Sequence, residues 1–82
     1  MRYALPDMDY IHVEVHDNPH GYGIYVYNMH NFYVRLLTCV VAELMNVSLP
    51  QGYRPQQRTR EEAEKLLSNA AETNGWEQIG IV

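Results

Sequence analysis

Apolar and polar residues alternate along residues 10–16, which read Tyr-Ile-His-Val-Glu-Val-His. A period of two over this length is typical of a β-strand with one buried face. Residues 22–28 are rich in β-branched and aromatic residues, and residues 17–21, Asp-Asn-Pro-His-Gly, suit a type I turn. The pattern therefore predicts a β-hairpin over residues 10–28, preceded by a short irregular lead-in at residues 1–9.

Two registers of this hairpin remain open at this stage. A plain four-residue loop pairs Asp17 with Tyr22 and gathers five apolar residues on one face, namely Ile11, Val13, Val15, Ile24 and Val26. A left-handed bulge at Gly21 shifts the pairing by one residue and turns the second strand over. In both registers the first strand keeps its two histidines and its glutamate on the face opposite its valines.

Residues 31–46 fit two patterns. Their valines and aromatic residues favour a strand, but the adjacent pairs at 36–37 and 40–41 fit the apolar stripe of a helix better. That stripe comprises positions 33, 36, 37, 40, 41 and 44, and Asn31 is a suitable N-cap. We predict a largely buried helix here, with Cys39 packed in the core as a small apolar residue.

Residues 59–74 carry the clearest helix signal. Thr59 and Glu62 form a capping box, and Gly75 supplies a left-handed end after Asn74. The apolar stripe of this helix comprises Ala63, Leu66, Leu67, Ala70 and Ala71. Before it, residues 47–58 read as a loop, and after it residues 76–82 read as a last strand that begins at Trp76.

The predicted order is strand, strand, helix, helix, strand (ββααβ) in a single domain over residues 1–82. We expect an α+β fold with both helices packed on one face of a small three-stranded sheet. The other face of the sheet then carries the polar side of residues 10–16.

Charge and composition exclude two classes of partner. The formal net charge is -4, and the six basic residues are too few and too local, four of them lying within 54–65, to follow a phosphate backbone. We therefore expect no nucleic-acid partner. The longest near-apolar run, residues 36–42, is far shorter than the roughly 20 residues that span a bilayer, so we expect no membrane partner. The only cysteine is Cys39, which fits a reducing, cytoplasmic location.

The strand face with His12, Glu14 and His16 raises the question of a metal site. Strand residues two apart are separated by roughly 6.5–7 Å, so one ion is within reach of neighbours but hardly of both histidines. The better interpretation is the solvent-facing side of a strand, with no metal and no cofactor. A metal or small-ligand module on this His12/Glu14/His16 face is the alternative.

Catalytic signatures are weaker still. Ser48 and Ser68 lack a nucleophile-elbow context, and no nucleophile, base and pocket come together in the pattern. We therefore predict that the protein is not an enzyme.

Docking on a protein partner is the function that remains. The candidate contact residues are those with the side chains enriched in interface hot spots or placed on the polar strand face, namely Tyr22, His20, Tyr53, Arg54, His12, Glu14 and His16. We predict a small regulator or inhibitor, of the compact kind that phages and mobile elements encode. A homodimer, formed through an edge strand or through the helix at 31–46, is a further expectation.

Overall fold

The computed structural model describes residues 1–6, 9–15, 21–30 and 32–80, which form an antiparallel sheet and two helices. The α+β class is therefore confirmed. The elements are β1 Arg2–Ala4, β2 Tyr10–Val15, β3 Tyr22–Asn28, β4 Tyr33–Leu36, α1 Cys39–Met45, α2 Arg60–Asn74 and β5 Glu77–Gly80.

The sheet has five strands in the order β4-β3-β2-β1-β5, so the predicted three-stranded sheet was wrong. One of the additional strands, β1, lies in the stretch expected to be an irregular lead-in. It runs antiparallel to both of its neighbours, with Tyr3 opposite Ile11 on β2 and opposite Gln78 on β5. The predicted last strand is present as β5, and it joins the sheet through β1.

The hairpin of β2 and β3 is present, in a register that differs from both expectations. Tyr22 pairs with Val15, so its predicted pairing with Asp17 was wrong, and the bulged alternative was wrong as well. The pairing is displaced from the plain register by two residues, which preserves the faces. Ile11 stands opposite Val26 and Val13 opposite Ile24 on the buried face, so the four residues keep the common face that the plain register gives them. Of the predicted turn at 17–21, residues 17–20 lie outside the described residues.

The predicted helix over residues 31–46 was wrong in its first half. Residues 33–36 form β4 because β3 offers them a partner, and the ladder continues to Leu37, whose N–H donates to the Ile24 carbonyl at 2.7 Å. The helix begins only at Cys39, and its N-cap is Thr38, whose Oγ1 accepts from the Val41 N–H at 3.2 Å. The predicted N-cap Asn31 lies outside the described residues.

The burial of α1 also departs from the predicted stripe. Ala42, expected on the outer side, is buried, whereas Val40 and Leu44 are 64% and 72% exposed. Cys39 is exposed, so the prediction that it packs in the core was wrong. The predicted stripe assumed one continuous helix over residues 31–46. Because residues 33–36 are extended, the helix starts later, and different residues of α1 face the core.

The second helix matches its prediction closely. Thr59 is the N-cap, and its side chain accepts from the Glu62 N–H at 3.1 Å. The Glu62 carboxylate reaches back to the N–H of Arg58 at 3.1 Å, one residue before the cap. Gly75 ends the helix in the left-handed region, with φ 72°.

The core lies between one face of the sheet and the two helices. Ala63 and Leu67 of α2 are fully buried against Ile11 and Ile24 of the central strands, and Ala42 of α1 joins the same cluster. Both helices therefore lie on one face of the sheet, as predicted. Within the described residues, neither helix has the length and apolar character of a membrane-spanning segment.

The segment between the helices is fastened to the rest of the fold. Tyr22 and Gln57 exchange two backbone hydrogen bonds of 2.8 Å, which continue the line of β4 along β3. At its other end, the Asn74 side chain accepts from the Ser48 N–H at 2.9 Å and donates to the Ser48 carbonyl at 2.8 Å. The predicted loop is thus anchored at both ends.

Candidate functional site

The sheet face turned away from the helices carries a group of aromatic and charged side chains. Direct cross-strand pairing places Arg2, His12 and Tyr25 in one row and Tyr10 and Tyr27 in the next. Glu14 shares this face because it follows His12 by two residues. We call the following residues the open-face cluster: Arg2, Tyr10, His12, Glu14, Tyr25 and Tyr27.

Tyr10 lies at the centre of this cluster, between an aromatic ring and a cation. Its ring stacks on that of Tyr27, with centroids 4.7 Å apart and planes at 6°. The guanidinium carbon of Arg2 lies 4.6 Å from the Tyr10 centroid. Because β3 and β1 flank β2 on opposite sides, Tyr27 and Arg2 approach the Tyr10 ring from opposite sides. Both contacts are attractive, since stacked rings and cations over rings are favourable arrangements.

Glu14 is held by two groups of the same face. The Tyr27 hydroxyl donates to Oε1 of Glu14. The same oxygen lies 3.1 Å from Nε2 of His12, and the side chains of His12 and Glu14 are 14% and 35% exposed. The carboxylate is therefore satisfied from within the cluster while part of it still meets solvent.

The cluster lowers the pKa of His12. Burial beneath the neighbouring rings is the largest cause, since it disfavours the imidazolium. The Glu14 carboxylate acts in the opposite direction, and the positive charge of Arg2 adds to the lowering. Burial, followed by the charge of Glu14, raises the pKa of Tyr25. His12 is therefore kept neutral at physiological pH.

Arg2 is the one side chain of the cluster whose charge is not matched by a neighbour. Within the described residues it forms no ion pair, and its Nε is buried without a hydrogen-bond partner. Its guanidinium lies over the ring of Tyr10, which carries no charge. A cation held in this way is positioned to meet a carboxylate or carbonyl brought by another molecule.

The described residues hold no group of three side chains arranged to bind a metal ion. His12 and Glu14 are adjacent, as the strand spacing predicted, but the third candidate, His16, lies outside the described residues. One oxygen of Glu14, Oε1, already accepts from Tyr27.

The other predicted contact residues do not join the open-face cluster. Tyr22 lies on the helix side of β3 by register and packs partly against the core. Tyr53 also packs on the core, and its hydroxyl donates to the Leu37 carbonyl at 2.7 Å. Burial, followed by the neighbouring Cys39, raises the pKa of Tyr53. Arg54 is exposed, and His20 lies outside the described residues.

Four members of the cluster were absent from the predicted site, namely Arg2, Tyr10, Tyr25 and Tyr27. Tyr10 precedes His12 by two residues on β2, and the hairpin register pairs Tyr27 with Tyr10. Both tyrosines therefore lie on the same face of the sheet as His12. Arg2 has no such local signal, because its place depends on the pairing of β1 with β2. Comparison of the chain with family models, with curated proteins and with solved structures gave no match.

Proposed function

We propose that this protein acts by docking on a protein partner through the open-face cluster. The observation that carries the proposal is the sandwich of Arg2, Tyr10 and Tyr27 on a sheet face that neither helix covers. Tyrosine and arginine are enriched among the residues that contribute most to binding at protein interfaces, and each combines a large contact area with hydrogen-bonding groups. We further propose that the protein is a non-enzymatic regulator or inhibitor that works in the cytoplasm.

The packing of the rings favours a protein over a nucleic acid. Proteins that bind single strands stack bases on the free faces of aromatic rings. Here Tyr10 is covered by Tyr27 on one side and by Arg2 on the other. The Tyr10 ring therefore offers its edge and its hydroxyl, which suit the side chains and carbonyls of a protein surface.

The charges of the open-face cluster also favour a protein partner over a nucleic acid. The cluster contains one permanent cation, Arg2, and one carboxylate, Glu14, while His12 is held neutral. Phosphate binding gains affinity with each cation that replaces a counterion, and one cation beside a carboxylate supplies little. We therefore propose a partner surface with apolar side chains for the tyrosines and an acidic group for Arg2.

Alanine variants of the cluster test this proposal. Affinity capture from the native cell would use three tagged proteins, namely wild type, the double variant Tyr10→Ala/Tyr27→Ala and a control variant. Each captured protein would then be purified, and its binding to the three tagged proteins would be titrated. Val40→Ala is a matched control, because Val40 is 64% exposed and lies on α1, on the other side of the sheet. We expect direct binding of one captured protein by wild type and by Val40→Ala, and its loss in the double variant.

Two results would overturn the proposal. One is a double variant that binds the purified partner as tightly as wild type does. Circular dichroism would verify that this variant is folded. The other is tight binding of a fluorescent single-stranded oligonucleotide that the double variant loses, since this would assign the cluster to nucleic acid. A partner lost only in Arg54→Ala would instead move the interface to the loop between the helices.

A further inference from the structure

The strand β4 lies at one edge of the sheet and presents unpaired backbone groups. In an antiparallel ladder, the residues that bond to one neighbour alternate with those that face the other way. Leu37 donates to Ile24 of β3, so Arg35 and Tyr33 also turn their backbone groups toward β3. The N–H and carbonyl of Val34 therefore point outward, where no described strand pairs with them.

The side chains of this edge do not protect it. Sheet edges usually carry a bulge, a proline or a lysine that prevents pairing with another chain. The sequence of β4 is Tyr-Val-Arg-Leu, and its one charge, Arg35, lies 4.6 Å from the ring of Tyr33 on the same strand. Val34 is 48% exposed, and Phe32, just before the strand, is 87% exposed.

The opposite edge of the sheet differs in this respect. There β5 begins with Glu77, and its register with β1 is interrupted between Arg2 and Tyr3. An irregular ladder and an acidic residue are both features that discourage pairing. The two edges are therefore unequal, and β4 is the one suited to a further strand.

We propose that β4 pairs antiparallel with β4 of a second copy of this chain, about a two-fold axis, with Val34 opposite Val34. Pairing of like with like is what a two-fold axis produces, and it joins the two five-stranded sheets into one. This inference is independent of the function proposed for the open-face cluster.

The side chains select this register from the alternatives. Residues directly opposite each other must lie on the same face of the joined sheet, which excludes Val34 opposite Arg35. Arg35 opposite Arg35 would place two like charges together and is unfavourable. With Val34 opposite Val34, Tyr33 of each copy stands opposite Arg35 of the other. The attraction between the Arg35 guanidinium and the Tyr33 ring, present within one strand, then also forms between the two copies.

Neighbouring apolar side chains enlarge the contact beyond a short ladder. A four-residue strand alone buries less than the roughly 1,200 Å² at which specific interfaces begin. Leu44 of α1 is 72% exposed and, with Tyr33 and Arg35, lines a cavity of about 220 Å³ beside the edge. Phe32 adds a second exposed apolar group at the other end of β4. The two-fold axis brings the same side chains of both copies into the interface and so doubles the area that each of them buries.

Sedimentation equilibrium with a proline variant tests the proposal. Val34→Pro removes the N–H that would bond to the second copy and leaves the bonds between β3 and β4, because that N–H points outward. Val34→Thr keeps the N–H and the branched shape and serves as the control. We expect wild type and Val34→Thr to sediment with twice the 9.6 kDa mass of one chain, and Val34→Pro to raise the dimer dissociation constant about tenfold or more.

A wild-type protein that stays monomeric at millimolar concentration would overturn the proposal, as would a Val34→Pro protein that dimerises like wild type. Concentration-dependent filaments would overturn it too, because they indicate pairing of unlike edges. Amide hydrogen exchange of wild type decides the matter if Val34→Pro fails to fold. The Val34 amide should exchange slowly in concentrated samples and rapidly after dilution, whereas the Arg35 amide stays protected in both; a fast Val34 amide at every concentration contradicts the pairing.

Discussion

His12 illustrates how a single residue of the open face is governed by its neighbours. It lies on a face without helices, and yet its side chain is only 14% exposed because the rings of Tyr10 and Tyr27 lie 5.7 and 4.9 Å from its own. Desolvation by these rings outweighs the attraction of Glu14 and lowers the pKa of His12. The residue therefore behaves as a neutral side chain within an aromatic group.

This lowered pKa makes stability depend on pH in a defined direction. Above the usual histidine value of 6.5 the imidazole is neutral in both folded and unfolded chains, and its contribution to stability is fully present. As the pH falls below 6.5, the unfolded chain takes up the proton first, and stability is lost until the folded-state pKa is reached. We expect the free energy of unfolding, measured in urea between about pH 7.5 and about pH 5.5, to fall less steeply for His12→Gln than for wild type.

His30→Gln is the matched control for this measurement, because His30 is exposed in the turn after β3. It reports the effect of losing a histidine outside the open-face cluster. A slope that His12→Gln leaves unchanged, or that changes equally in the two variants, would contradict the role assigned to His12.

The pairing of His12 with Glu14 also allows a metal test. A ligand that binds only the folded chain raises the melting temperature, and a tighter ligand raises it further. Since the described residues place no third ligand beside His12 and Glu14, we expect equimolar zinc to leave the melting temperature unchanged. A rise in melting temperature that disappears in His12→Gln would support the alternative, a metal module on this face.

The caps decide where each of the two helices begins. Thr59 accepts from the Glu62 N–H at 3.1 Å, in an exposed setting with few other contacts. We expect Thr59→Ala to lower the free energy of unfolding by about 0.5–2 kcal/mol, measured by chemical denaturation. Thr73→Ala is the control, because Thr73 is exposed near the other end of α2, where alanine is a good helix former. Equal stability of the two variants would contradict the role of Thr59 as a cap.

The elements that could be predicted are those whose signal is local. The hairpin has six or seven alternating residues in each strand, and α2 has a cap, a stripe and a glycine end within its own sequence. By contrast, β1 and β4 have three and four residues, too few to show a period. Residues 33–36 are extended because β3 is beside them, and such a partner is not visible in a local pattern.

The candidate site, like the fold, could be predicted only where the sequence signal is local. The orientation of His12 and Glu14 away from the helices follows from alternation alone and is confirmed. The aromatic group around them depends on the register between β2 and β3, which the sequence left open between alternatives. The position of Arg2 depends on a contact between β1 and β2 that only the assembled sheet reveals.

At the scale of the whole molecule, the two proposed surfaces are geometrically related. The two-fold axis through paired β4 strands runs perpendicular to the sheet, so both open faces would lie on the same side of the dimer. A partner with two binding sites would then meet two copies at once, and the second contact would form at a high effective concentration. Dimerisation through β4 would thus strengthen docking without any added contact in the open-face cluster.

The pairing of β1 with β5 has a mechanical consequence. Arg2 and Gly80 stand opposite each other at one end of this ladder, followed by Tyr3 with Gln78. A pulling force applied through Arg2 and Gly80 acts along the hydrogen bonds, which run perpendicular to the strands. We therefore expect these bonds to be loaded and broken one after another, so that β5 separates from β1 before the force reaches the central strands.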